Sequence, residues 1–467
     1  MVNVTDNKSC GADSPETDAK PEGFTATRNA CKLCTPLGAC LVFRGVEGCI
    51  PFLHGSQGCA TYIRRYLISH FREPMDIACS NFHESSAVFG GATNLSQGLL
   101  NVDRQYQPAL VGVATTCLAE TIGEDLPRML VDFRRGDGKA MTTPVVHVST
   151  ASYRGTHMDG FHGAVRALVE QLAERGLTSN RINVLPGMVS AQDLRYLKEI
   201  LQDFGAKFTL LPDYSETMDG ETWSQYEKLQ NGGTPLADIT AMGGACGTIE
   251  LGRTLEHTPS AGQVLTERHQ IPRHPLGLPI GIRETDGFFS AVEYLTGRKT
   301  PEKYQRERGR LVDAYIDGHK YASEKRAVIY GEEDMVIGLA SFLTEFGITP
   351  ILCASGGRSG FFEKCLREAA PALPPETVIK DKADFAEIAE LATALKPDLL
   401  IGNSKGYSLA RQLNVPLIRI GFPIHDRIGG QRTAHLGYRG AQELFDRVIN
   451  ALMEAKQTKS SVGYSYL

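Results

Sequence analysis

Three cysteines stand where chemistry is easiest to assemble: Cys34 before "TPLGACLVFRG", Cys59 after "CIPFLHGSQG", and Cys117 after "GVATT". In each case an apolar run or a turn gives way to helical spacing, so each thiol falls at the start of a helix. Thr35 and Pro36 suit a first helical turn, where proline loses no hydrogen bond. A helix N-terminus supplies unpaired N–H groups and partial positive charge, which favour the thiolate that a metal binds. Three such thiols read as a divided metal site. Their wide and unequal separation excludes zinc-ribbon spacing and the compact ferredoxin run, so the fold must gather them.

The other cysteines read differently. Cys40, Cys49, Cys79, Cys246, Cys353 and Cys365 are expected to be small buried hydrophobes, and Cys10 to be exposed. Cys31 forms "CKLC" with Cys34, a pair that suits a redox dithiol or half a zinc site, but no second pair follows. The alternative for all of them, Cys34, Cys59 and Cys117 included, is an inert buried thiol.

The elements that would position these residues follow an alternating rhythm. "PALVGVATT" precedes the helical pattern "CLAETIGEDLPRML"; "RINVLPG", "SAQDLRYLKEILQDFG" and "AKFTLLPD" repeat the alternation. "RAVIYGE", "DMVIGLASFLTEFG" and "ITPILCAS" repeat it again, followed by "PDLLIGNS" and "VPLIRIGFP". The pattern predicts an α/β protein of three doubly wound, Rossmann-like parallel-sheet domains around a central cleft. The expected divisions are a flexible arm over 1–24, a cluster-binding domain over 25–178, a second domain over 179–300, a connecting helix over 301–325 and a third domain over 326–467.

The 467 residues, 42% of them hydrophobic, supply ample core, and a net charge of -5 gives no reason to expect nucleic acid or an anionic membrane surface. No apolar run is long enough to span a bilayer and no leader is visible, which predicts a cytoplasmic protein. Eleven cysteines without a secretion signal argue against a disulfide framework. His54, His70, His83 and His157 lack ligand spacing and read as structural, and no phosphate-binding loop ends in Lys-Ser/Thr, so ATP belongs to a partner.

"CTPLGA", "HGSQGC", "HFREP", "SAVFGG" and "TTCLAETIGED", in that order, resemble the β-type subunit of nitrogenase component 1. "HPLGLPIGIRETDGF", "LLIGNS" and "GYRGA" extend the resemblance to the rest of the chain. It implies that Cys34, Cys59 and Cys117 ligate half of an iron–sulfur cluster, of the [8Fe-7S] P-cluster type or a [4Fe-4S] cluster, shared with an α-type partner in an α2β2 heterotetramer. Ser152 matches a serine that binds one iron of the oxidised cluster, though a cap or turn role is the ordinary reading of such a serine. Gly58 and Gly90 resemble close-packing glycines near the cluster, and either also suits an ordinary turn. Phe89 falls where the family meets an ATP-dependent iron protein, a buried core Phe being the alternative. The motif-bearing region begins near Ala30 without a long extension, which points to compact relatives: nitrogenase-like reductases such as methylthio-alkane reductase, or the scaffold for iron–molybdenum cofactor assembly. Retention of Ser152 favours the reductase.

Overall fold

The structure, a computed structural model, describes residues 31–225 and 227–462. The expected arm over 1–24 and Cys10 lie outside the described residues.

Three sheets form, all of parallel strands. The first, in the order β2-β1-β3-β4, contains β1 (Cys49–His54), β2 (Ala78–Cys79), β3 (Leu110–Thr115) and β4 (Val145–Val148). The second, β6-β5-β7-β8, contains β5 (Arg181–Leu185), β6 (Lys207–Leu210), β7 (Gly247–Leu251) and β8 (Arg273–Leu276). The third, β11-β10-β9-β12-β13, contains β9 (Arg326–Gly331), β10 (Thr349–Ser355), β11 (Val378–Lys380), β12 (Leu399–Gly402) and β13 (Leu417–Arg419). The central strands β1 and β3 are buried along their whole length, as parallel strands covered by helices on both faces must be. The expected α/β architecture of three parallel-sheet domains is therefore present. A cleft of about 290 Å³ lies between them, lined from all three.

Local signals explain most element ends. The helices Ala191–Asp203 and Glu333–Glu345 each give way to a glycine in the left-handed region, Gly205 at φ 59° and Gly347 at φ 91°. The charged segment between the second and third sheets is a helix, Glu302–Ala322. One reading needs correction: "CLAETIGEDLPRML" is two helices, Cys117–Thr121 and Leu126–Arg135, because Gly123 turns at φ 79° and Asp125 caps the second by accepting from Arg128 N.

The helix Thr35–Arg44, which begins beside Cys34, crosses the helix His157–Leu172 at backbone contact distance. A Cβ on Gly38 would stand 1.8 Å from the His157 carbonyl, and one on Gly160 would stand 1.8 Å from the Thr35 carbonyl. Only glycine permits that approach from both sides. The crossing is locked by an exchange of hydrogen bonds, His157 N to Leu33 O at 3.0 Å and Leu33 N to His157 Nδ1 at 3.3 Å. Because Nδ1 accepts, Nε2 carries the proton and donates to Glu332 at 3.1 Å. The third sheet's first helical turn thus supports the segment that carries Cys34.

The second and third sheets are joined by a buried pair. Asp193 accepts from His435 N, Leu436 N and the His435 ring at 2.8 to 3.0 Å. Burial alone would raise the Asp193 carboxyl, but the His435 charge and these donors hold it below the usual carboxylate range.

Gly160→Ala is expected to destabilise the protein by about 1–3 kcal/mol, read as a lower denaturant midpoint, because the Thr35 carbonyl blocks relaxation. An exposed glycine substitution such as Gly309→Ala, whose Cβ meets nothing within 4 Å, should cost nothing. Asp193 makes a second expectation: its folded pKa is depressed, so its stabilisation is present above the carboxylate's unfolded value of 3.8 and is lost as pH falls through the lower folded value. Asp193→Asn should lower stability at pH 7 and flatten the acid limb of a stability-against-pH curve.

Candidate metal centre

The three thiols singled out from the sequence do lie at helix starts. Cys34 is the N-cap of the helix Thr35–Arg44, extended at φ -62° and ψ 139°. Cys59 is the third residue of the helix Gln57–Phe71, and Cys117 the first of Cys117–Thr121. All three are half-buried. β1 and β3 are adjacent in the first sheet, with His54 paired to Thr115, so their following loops emerge side by side and carry Cys59 and Cys117 together.

Ser152, in the loop after β4, joins two of these starts. Its backbone N–H donates to Cys117 Sγ at 3.3 Å, and its Oγ accepts from Thr35 N at 3.1 Å. Its hydroxyl and that of Tyr62 also bond the Cys34 sulfur. Ser56 Oγ donates to Cys59 Sγ at 3.6 Å. Burial pushes the Cys34 thiol up, the Ser152 and Tyr62 bonds oppose that rise, and the charges of Cys117 and Cys59 reinforce it. The helix terminus therefore does not outweigh desolvation at Cys34. The neighbouring thiols nevertheless lie near enough to act on it. Among the described residues no three His, Cys, Asp or Glu side chains are close enough to hold a single metal ion.

Two hydroxyls beside these cysteines, Thr35 Oγ1 and Thr116 Oγ1, are buried without a hydrogen-bond partner among the described residues. Unsatisfied buried hydroxyls cost about 1–3 kcal/mol each. Gly55 brings the two loops together: a Cβ there would stand 1.8 Å from Thr116 Oγ1. Gly58 has nothing within 3.9 Å of such an atom and is exposed, so its backbone faces open space. Gly90 sits at φ 89°, with only Glu124 Oε1 near, at 3.2 Å.

The remaining cysteines divide by burial. Cys31 is buried in a separate core with Val328 and Tyr330, and its thiol is pushed up to about 12 by burial and by Glu332. The "CKLC" pair is thereby split between two environments, Cys31 buried and Cys34 half-buried. Cys40, Cys49, Cys353 and Cys365 are buried as expected, and burial raises every one of their thiols. Cys79 and Cys246 are half-buried instead, because Cys79 lies on the two-residue edge strand β2 and Cys246 just ahead of β7.

The histidines hold structure together. His70 Nδ1 accepts from Ile424 N at 2.9 Å, and the His83 ring bonds Ser85 Oγ at 2.8 Å. His54 Nε2 meets Glu124 Oε2 at 2.5 Å, while Glu124 Oε1 accepts from Gly91 N at 2.6 Å. Glu124 thus ties the end of β1 to the turn after the helix Glu84–Phe89. That short helix presents Val88 and Phe89 at 74% and 86% exposure, which overturns the core alternative for Phe89. Tyr62, Ser56 and Glu124 were not singled out from the sequence. The first two carried a signal, standing three residues to either side of Cys59, one helical turn away.

Among the described residues no helix is long and apolar enough to cross a membrane. The family model for nitrogenase component 1 type oxidoreductases matches residues 34–453. The nitrogenase molybdenum-iron protein beta chain of Clostridium pasteurianum is 34% identical over 443 residues, covering 94% of this chain and 96% of the relative. The corresponding beta chain of Azotobacter vinelandii is 34% identical over 447 residues, covering 92% and 84%. A solved structure described as nitrogenase Cp1 at pH 6.5 matches with a TM-score of 0.91 at 32% identity, covering 95% of this chain and 97% of the other. A match over most of the sequence, together with relatives above 30% identity across more than nine-tenths of it, means that this chain belongs to the nitrogenase component 1 type oxidoreductases.

Proposed function

We propose that the chain is the β-type subunit of a nitrogenase-like reductase, in which Cys34, Cys59 and Cys117 hold half of an iron–sulfur cluster at the seam with an α-type partner. Electrons pass from an ATP-dependent iron protein through that seam to a cofactor in the partner, where substrate is reduced. The observation that carries this reading is the gathering of three half-buried thiols and Ser152 where the loops after β1, β3 and β4 meet the start of the helix Thr35–Arg44. Cysteines brought together by the fold in this way suit an iron–sulfur cluster whose other ligands come from across the seam.

The donor set fits such a group. Each thiol sits where helix N–H groups favour negative charge, and the open backbone face at Gly58 leaves room for close approach. Thr35 Oγ1 and Thr116 Oγ1 are two unused donors beside Cys34 and Cys117, suited to thiolate or sulfide sulfur. Gly90 acts one step away, through its contact with Glu124. An iron–sulfur cluster supplies one-electron chemistry, and this chain's residues fix its ligands, its exposure and its hydrogen bonds. Ser152 Oγ already faces Cys34, and its ligation of an oxidised iron would favour the [8Fe-7S] type over [4Fe-4S]. Val88 and Phe89 form the exposed apolar step on which the iron protein docks.

Compactness does not choose the substrate, since the chain covers 96% of a relative named as a nitrogenase beta chain. Methylthio-alkanes and dinitrogen are therefore both candidate substrates.

The complex with the α-type chain, purified anaerobically, should contain iron and sulfide and should release volatile thiol, hydrocarbon or ammonia when given the iron protein and ATP. Cys117→Ala should lower iron per complex and abolish turnover while the subunits still co-purify. A full iron complement in that variant would contradict the ligand assignment. Ser152→Ala should keep its iron but raise the midpoint of the oxidised couple by roughly 60 mV, the shift given by a tenfold loss of oxidised-state preference in a one-electron step. An unchanged midpoint would remove Ser152 from the ligand set.

A further inference from the structure

Beside Glu332 the three domains close on a second, much smaller cavity of about 30 Å³. Its wall takes His70 from the first domain, Val189 and Ser190 from the second, and Glu332, Phe422 and His435 from the third. That volume is far below the roughly 300 Å³ at which ligand pockets begin, yet above the roughly 10–15 Å³ that one water needs.

Three polar groups in this wall have hydrogen-bonding capacity left over. The His435 ring gives its Nδ1 proton to Asp193 at 2.8 Å, and its Nε2 is buried without a partner among the described residues. The His70 ring accepts from Ile424 N at Nδ1, and burial pushes it down to about 3, so it is neutral and its Nε2 carries the proton. No described residue accepts that proton. Glu332 uses Oε1 to accept from His157 Nε2 at 3.1 Å, while Oε2 bonds no described residue. A Cβ on Gly421, which also lines the cavity, would stand 3.0 Å from that Oε2, so the oxygen reaches the wall. Ser190 Oγ is already engaged, accepting from Asp193 N at 3.0 Å.

These groups select the occupant by charge. The His70 N–H turns away a cation, the Glu332 carboxylate turns away an anion, and an apolar molecule would leave all three polar atoms unpaired. Water both donates and accepts, so it serves His435 Nε2 in either protonation state of the ring.

We infer that this cavity holds one buried water, which accepts from His70 Nε2, donates to Glu332 Oε2 and bonds His435 Nε2. The water completes a hydrogen-bonded chain from Asp193 through His435, Glu332 and His157 to Leu33 N. It thereby couples the buried pair that joins the second and third sheets to the helix crossing that sets Cys34.

High-resolution diffraction from crystals of the complex, some native, some pressurised with xenon and some soaked in bromide, tests the inference. Native crystals should show a single peak about 2.7–3.2 Å from each of the three atoms, and neither xenon nor bromide should enter. His435→Leu should lose that peak. Should the variant fail to fold, the native, xenon and bromide data decide alone. An empty cavity in native crystals that resolve other buried waters, a xenon or bromide peak inside it, or an unmoved water in His435→Leu would overturn the inference.

Discussion

The candidate metal centre depends on one close backbone crossing. Cys34 is set by the start of its helix, and that start is set by glycine-to-carbonyl contact at Gly38 and Gly160 together with the Leu33 and His157 hydrogen bonds. The constraint propagates outward: His157 rests on Glu332 of the third sheet, so the position of one thiol is over-determined by two domains. Cys59 and Cys117 need less support, because adjacent parallel strands deliver their loops to the same edge. The fold therefore spends a rigid helix pair on the thiol that no strand carries.

Burial sets Cys31, Cys40, Cys49, Cys353 and Cys365 apart from the half-buried thiols, Cys79 and Cys246 among the latter. Cys31, Cys49 and Cys353 are enclosed, and loss of water pushes each up to about 12. Cys34 is also pushed up by burial, but hydrogen bonds from Ser152 and Tyr62 oppose the rise. Helix N-termini alone do not make a reactive thiol when desolvation is larger. The half-buried state of Cys34, Cys59 and Cys117 suits groups that share a seam with another chain.

Much of the fold was legible because parallel strands are apolar along their length, as in "LVGVAT" and "AVIYG", the second ending at a glycine. β2 escaped notice because two residues carry no periodicity. The break at Gly123 was hidden by helical spacing on both sides, although the glycine and Asp125 marked it. For the site, helix starts placed the three cysteines, but nothing local gathered them; the motifs did. Gly38 and Gly160 carry no local signal of the crossing, since the carbonyls they face are over a hundred positions away in the chain. Ser56 and Tyr62 act through geometry that appears only once the helix at Gln57 is formed. Glu124 likewise links His54 to Gly91 only through folded proximity.

The central claim is that iron lies among these three sulfurs. Diffraction from anaerobic crystals of the complex, with data collected on both sides of the iron absorption edge, tests it most directly. The account predicts an anomalous peak spanning several irons within bonding distance of Cys34, Cys59 and Cys117 Sγ. Sulfurs without such a peak between them would contradict it.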